Sequence, residues 1–169
     1  MGELQELVTH ERIRRLKYRY MRAIDTHDLA IFREVFCEDA RVWFGNGTYS
    51  NTGIENILGF FTGLLTPGFV TSHIAVHPEI DITGEDTASA IWRVEDTCHF
   101  IAPLPEVVAF PLTGGEVLQG AGHYYDEYVR LDGAWKIKSS GYVRIYEHIQ
   151  HPGGREAELI VDPNLGVRR

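Results

Sequence analysis

The chain is poor in cysteine, poor in positive charge and free of long apolar runs. Two cysteines, Cys37 and Cys98, stand in 169 residues. That is too few for a disulfide framework, so two reduced thiols in a cytoplasmic protein are expected. Lys and Arg number 16 against 24 Asp and Glu, a formal charge of −8. A surface of that sign repels phosphate backbones, which argues against nucleic acid as a partner. Every apolar stretch is broken by Gly or a polar residue within a few positions, so no segment is expected to span a bilayer. The charged opening MGELQELVTHERIRRLKYRY lacks the apolar core of a secretory signal. Several motifs are missing as well. There is no H-E-x-x-H, no cysteine pair at ligand spacing, no G-x-S-x-G elbow and no G-x-G-x-x-G after a strand. A zinc protease, a nucleophilic hydrolase and a dinucleotide site are thereby left without support. No repeat or low-complexity block occurs.

What remains is ordinary globular material, 44% hydrophobic and of a length that suits one domain. Residues 9–24 carry Ile13, Leu16, Tyr20 and Ile24 at three- and four-residue steps. That spacing predicts an amphipathic helix with Thr9 as its cap. A second helix is expected over 29–36, a strand over 40–44 and a turn at Gly45-Asn46-Gly47. A third helix follows over 54–65, capped by Thr52. The period then changes to two. Strands are predicted over 70–82, 87–101, 116–131 and 134–149, with a hairpin at Asp132-Gly133. Their length implies a curved, bulged sheet. Gly120, Gly122 and Gly141 fall where such a sheet bends or is closely approached. Residues 102–115 read as a loop acting as a lid or subunit contact. The tail from Gln150 is expected to wrap the surface or a neighbour. Helices followed by antiparallel strands make an α+β domain, and helices closing a bent sheet make a cone with the pocket inside it.

Within that frame the polar residues have competing readings. Asp25 is either a surface acid or cap, or an acid placed for chemistry at the end of the first helix. Tyr20, on the apolar stripe, is either a core tyrosine or a donor at the pocket mouth. Thr71, His73, Ala75 and His77 share one face of a strand. His73 is either a structural hydrogen-bonder or, given a carboxylate partner, a general base. His73 and His77 lie about 13 Å apart on a strand, too far to share one ion, so no metal is expected. Trp92, Val94, Asp96 and Cys98 alternate onto one face, and an inward Asp96 needs a partner. Tyr142, Arg144 and Tyr146 share a face, which makes Arg144 either a stacked surface cation or an interior one. Trp43, Phe44, Phe60, Phe61 and Trp92 are candidates to line the cone.

The segments RIRRLKYRYMRAIDTHDLAIFREVFCEDARVWF, SHIAVHPEIDI, GHYYDEYVRLDGAWKI and GYVRIY together resemble the SnoaL-like branch of the NTF2-like superfamily over about residues 9–148. The resemblance is strongest to scytalone dehydratase-like enzymes, bile-acid 7α-dehydratases and the dehydrochlorinase of chlorinated cyclohexanes. It implies a cone-shaped α+β barrel and an Asp–His dyad at Asp25 and His73. Tyr20 matches the dehydratases' tyrosine where the dehydrochlorinase has lysine. Asp96 and Arg144 match further polar positions, here taken with Trp43, Trp92 and Phe60 as substrate-binding. The activity implied is a cofactor-free dehydratase acting on a hydrophobic oxygenated ring of steroid, terpenoid or polyketide type. An isomerase or cyclase, and a non-catalytic binding module, are the alternatives. A homo-oligomer, dimer or trimer, is the implied assembly.

Overall fold

The computed structural model describes residues 2–103, 114–154 and 157–161. The elements are α1 (Glu3–Asp25), α2 (Leu29–Val35), β1 (Phe36–Phe44), β2 (Tyr49–Thr52), α3 (Ile54–Leu64), β3 (Phe69–Ile82), β4 (Thr87–Phe100), β5 (Glu116–Leu131), β6 (Ala134–Gln150) and β7 (Glu158–Val161).

The stripe Ile13, Leu16, Tyr20 and Ile24 is buried, as its spacing requires. The helix nevertheless begins six residues before Thr9, which is buried within it rather than capping it. Glu3 and Glu6 occupy the first turn, where the helix dipole favours acids. That turn packs little, with Leu4 and Leu7 exposed, so apolar period gives no sign of it. At the other end the chain turns through Thr26 and His27. Asp28 caps α2 by accepting the Ala30 N–H at 3.1 Å and the Ile31 N–H at 3.4 Å. Asp25, the last residue of α1, is thereby left out of the capping.

Phe36, expected to end the second helix, instead opens β1 with extended backbone. The Gly45-Asn46-Gly47 segment forms a single 3-10 turn leading to β2, a polar strand that alternation alone does not mark. Thr52 does not cap α3. Gly53 holds that position with φ +86, and the Asn56 side chain donates to the Thr52 carbonyl.

The strands form one sheet in the order β2-β1-β6-β5-β4-β3. Among the described residues only the β1–β6 pair is parallel. β7, which the sequence does not announce, pairs with Tyr146–Ile149 of β6. The Asp132-Gly133 hairpin has both residues at positive φ, +50 and +79, as a two-residue loop between twisted strands needs. Register shifts between Val76 and Glu79, between Ala121 and Gly122, and between Glu127 and Tyr128 curl the sheet around the helices. The first of these takes His77 off the His73 face, into an exposed positive-φ position. Gly141 is required by packing. A Cβ there would stand 2.1 Å from the Trp43 ring. Most of the 102–115 loop, and the tail beyond residue 161, lie outside the described residues. No helix among the described residues is long and apolar enough to cross a membrane.

The core between helices and sheet holds Trp92, Tyr124, Tyr128, Phe32, Ile13 and Ile57, all almost fully buried. It also holds an ion pair. Lys17 Nζ lies 2.8 Å from Asp126 Oδ2, and both side chains have zero exposure. The ammonium also lies 3.5 Å from the Tyr124 ring centroid. Ser140 and Tyr128 each donate a hydroxyl to Asp126 at 2.7 Å.

Candidate active site

One apolar cavity opens between the helices and the concave face of the sheet. Tyr20 and Ile24 of α1, Phe60, Phe61 and Leu64 of α3, and the inward faces of β3 to β6 line it. Its free volume is about 70 Å³, and the space between its walls, open solvent at the mouth included, is about 590 Å³. Among the described residues, His73, Asp96, Arg144 and Glu147 bring titratable or charged groups to it beside the tyrosines and Cys98.

Asp25 and His73 meet at its edge. Oδ1 of Asp25 lies 2.7 Å from His73 Nδ1, and Oδ2 accepts the His73 backbone N–H at 2.9 Å. Thr71, on the same strand face, donates its hydroxyl to Oδ1 at 2.8 Å. Burial alone would raise the Asp25 carboxyl. The side-chain and backbone hydrogen bonds from His73, its charge and the Thr71 hydroxyl outweigh that and hold the carboxyl below its ordinary value. With Nδ1 tied to Asp25, the imidazole turns Nε2 towards β4.

Asp96 faces His73 across the β3–β4 ladder. Its Oδ2 lies 3.8 Å from Nε2. Arg144 grips the Asp96 carboxylate with two parallel bonds, at 2.5 and 2.6 Å. Gly120 on the intervening β5 makes that reach possible, since a Cβ there would stand 2.5 Å from the guanidinium. Glu147 lies 3.1 Å from Arg144 Nε, and the Tyr142 ring centroid is 4.6 Å from the guanidinium carbon. Burial opposes the Arg144 charge, but Tyr142, Asp96 and Glu147 together raise it above the ordinary arginine value. Arg144 is thus an interior cation. Tyr146 is not its companion, because the register shift skips Ile145 and turns Tyr146 towards a separate surface groove.

Tyr20 lies on the cavity wall with zero exposure, and its hydroxyl makes no hydrogen bond of good geometry among the described residues. Burial first, then Asp126 and Tyr142, push its ionisation well above the ordinary tyrosine value. Ser140, which acts in the opposite direction, has its proton committed to Asp126. The phenol therefore stays a donor at neutral pH.

Residues 5–140 match the SnoaL-like domain. The chain belongs to that family. Solved structures of similar shape include a hexachlorocyclohexane dehydrochlorinase, LinA type 2, at 21% identity and a TM-score of 0.73, covering 90% of this chain and 99% of that one. A scytalone dehydratase candidate from Novosphingobium aromaticivorans is 23% identical with a TM-score of 0.71, over 89% of this chain and 97% of that chain. A Nostoc punctiforme protein with a cystatin-like fold is 17% identical at 0.60, over 85% and 93%. At these identities the likeness speaks to fold, and it agrees with the α+β cone.

Against this SnoaL-like frame, several residues sit where the sequence did not put them. Trp92 is buried in the core, where its indole donates to the Tyr128 hydroxyl at 3.0 Å, and it does not line the cavity. Trp43 is turned to the opposite side of β1 against Gly141, so Phe44 lines the cavity instead. Phe60 lines the cavity, as do Asp96 and Arg144. Cys98, Tyr124, Tyr142 and Glu147 line it too, although the sequence singled out none of them as a site residue. The signal for Cys98 was its alternation with Asp96. Glu147 required knowledge of the β6 register shift.

Proposed function

We propose that this SnoaL-like protein is a cofactor-free lyase that removes water from a hydrophobic, oxygenated ring compound. The observation that carries this reading is the Asp25–His73 pair, with Nδ1 anchored and Nε2 facing an apolar cavity. His73 Nε2 takes a proton from carbon beside a carbonyl. Asp25 holds the tautomer and balances the imidazolium that forms. Tyr20 donates its hydroxyl to the oxygen that gains charge. The carbon–oxygen bond then breaks, and the departing hydroxyl takes the proton from Nε2 and leaves as water.

The leaving group is read from Asp96. Nε2 and Asp96 Oδ2 are 3.8 Å apart, so one oxygen lying to the cavity side of the pair can sit about 2.8 Å from both. A hydroxyl can donate to the carboxylate while accepting from the imidazolium. A halide has no proton to donate and is repelled by the carboxylate. A hydroxyl leaving group is therefore favoured over chloride. The free volume of about 70 Å³ suits the reacting edge of a ring.

A panel of ring β-hydroxyketones, incubated with the protein and followed by mass spectrometry, tests the reading. Loss of one water, abolished in His73→Ala, supports it. Products of unchanged mass identify an isomerase or cyclase. Binding without turnover identifies a binding module. Either of those outcomes overturns the dehydratase.

A further inference from the structure

We propose that His73, Asp96 and Cys98 form a latent site for a borderline-soft divalent cation such as Zn²⁺ or Co²⁺. A ring nitrogen of His73, a carboxylate oxygen of Asp96 and Sγ of Cys98 all lie within 4.8 Å of one another, and Nε2 is the ring nitrogen not tied to Asp25. Sheet register brings them together. Asp96 and Cys98 are two apart on one face of β4, and His73 is the ladder partner of Asp96. All three line the cavity, and Asp96 and Cys98 are buried.

The geometry is close to what a tetrahedral ion needs. Bonds of about 2.0–2.3 Å place ligand atoms roughly 3.3–3.8 Å apart. The Nε2–Oδ2 separation is already 3.8 Å. The set must therefore contract by at most about 1 Å at its widest. His73 is prepared for the role, because a carboxylate on its other ring nitrogen fixes the tautomer that leaves Nε2 free. A set of one nitrogen, one oxygen and one sulfur suits Zn²⁺ and Co²⁺ and is too soft for Mg²⁺ or Ca²⁺. The fourth position opens onto the cavity.

Charge also balances. Binding releases the Cys98 thiol proton to solvent as the metal–sulfur bond forms. The thiolate and the Asp96 carboxylate then neutralise the dication. Arg144 is the opposing element. It is paired to both Asp96 oxygens, but each oxygen keeps a second lone pair, and Glu147 offsets the guanidinium. The bound ion would occupy the Nε2 lone pair. If the lyase reading holds, the ion therefore inhibits, and only that consequence rests on the proposed function.

The test is titration of the full chain with Co²⁺ alone. The expected result is one ion per chain, with a thiolate-to-cobalt charge-transfer band and the intense visible bands of a tetrahedral site. Cys98→Ser should lose the charge-transfer band, and Cys37→Ser should keep it. Asp25→Asn should weaken affinity about 10–100-fold through the lost support to His73. X-ray absorption of the Zn²⁺-loaded wild type needs no variant and should show one sulfur neighbour with nitrogen and oxygen. No band at saturating Co²⁺, a band that follows Cys37, or zinc without a sulfur neighbour each overturns the site. Metal binding without inhibition of an active preparation would leave the site standing and count against His73 as the base.

Discussion

Asp25 holds His73 at two points, the ring through Oδ1 at 2.7 Å and the backbone N–H through Oδ2 at 2.9 Å. One carboxylate at the end of α1 thus fixes both the strand and the orientation of the imidazole that faces the cavity. Asp25→Asn keeps an oxygen for one of these bonds but cannot serve both as a carboxylate does. The variant is expected to fold and to lose about 10²–10⁴-fold in turnover, the usual worth of a positioned base. Steady-state kinetics beside circular dichroism checks this, and full activity in a folded Asn variant would contradict it.

The same contact makes stability depend on pH. In the folded chain burial raises the Asp25 carboxyl, but the His73 and Thr71 contacts outweigh it and hold the carboxyl below its ordinary value, so the unfolded chain binds the proton first. Its stabilising contribution is complete above that value and is lost as pH falls through the lower folded value. Thermal melts through this range should show a shallower acid loss for Asp25→Asn than for wild type. Parallel curves would show that the contact carries no linkage.

The Lys17–Asp126 pair predicts an asymmetry between single and double variants. Both groups have zero exposure, so removing Lys17 alone strands a buried charge. Lys17→Met should cost about 3–5 kcal/mol, and Lys17→Met with Asp126→Asn should recover most of that loss. Denaturant unfolding measures both. Additive losses would mean that the pair is not coupled.

Gly141→Ala forces a methyl against Trp43, where a Cβ would stand 2.1 Å from the ring. Overpacking of this kind typically costs about 1–3 kcal/mol. Trp43→Leu in the same chain should relieve part of the loss, and urea midpoints of the three variants check it. Because Trp43 lies outside the cavity, ligand affinity should follow the fold rather than the tryptophan.

The long strands and the α1 stripe were legible because their apolar spacing follows the packing that buries them. The short, polar β2 and the exposed β7 carry no such pattern, so alternation missed them. Nothing local links residue 25 with residue 73. Only the family resemblance joined them, and the structure supplies the contact. Alternation placed Asp96 inward but was silent on Arg144, whose path to it depends on Gly120 and a register shift. Trp43 was misplaced because an aromatic reads as buried without saying on which side of its strand it lies, whereas Trp92 shares the β4 face of Asp96 but sits farther along the strand, in the core. The His73–Asp96–Cys98 cluster needed cross-strand register, which no single segment encodes.

The central claim is that His73 takes hydrogen from carbon inside the cavity. Proton NMR of a ring β-hydroxyketone that the protein turns over, run in deuterated water, tests it most directly. Wild type should speed loss of the hydrogen beside the carbonyl, through elimination or exchange, and folded His73→Ala should fall to the uncatalysed rate. Equal rates in the two proteins would contradict the account.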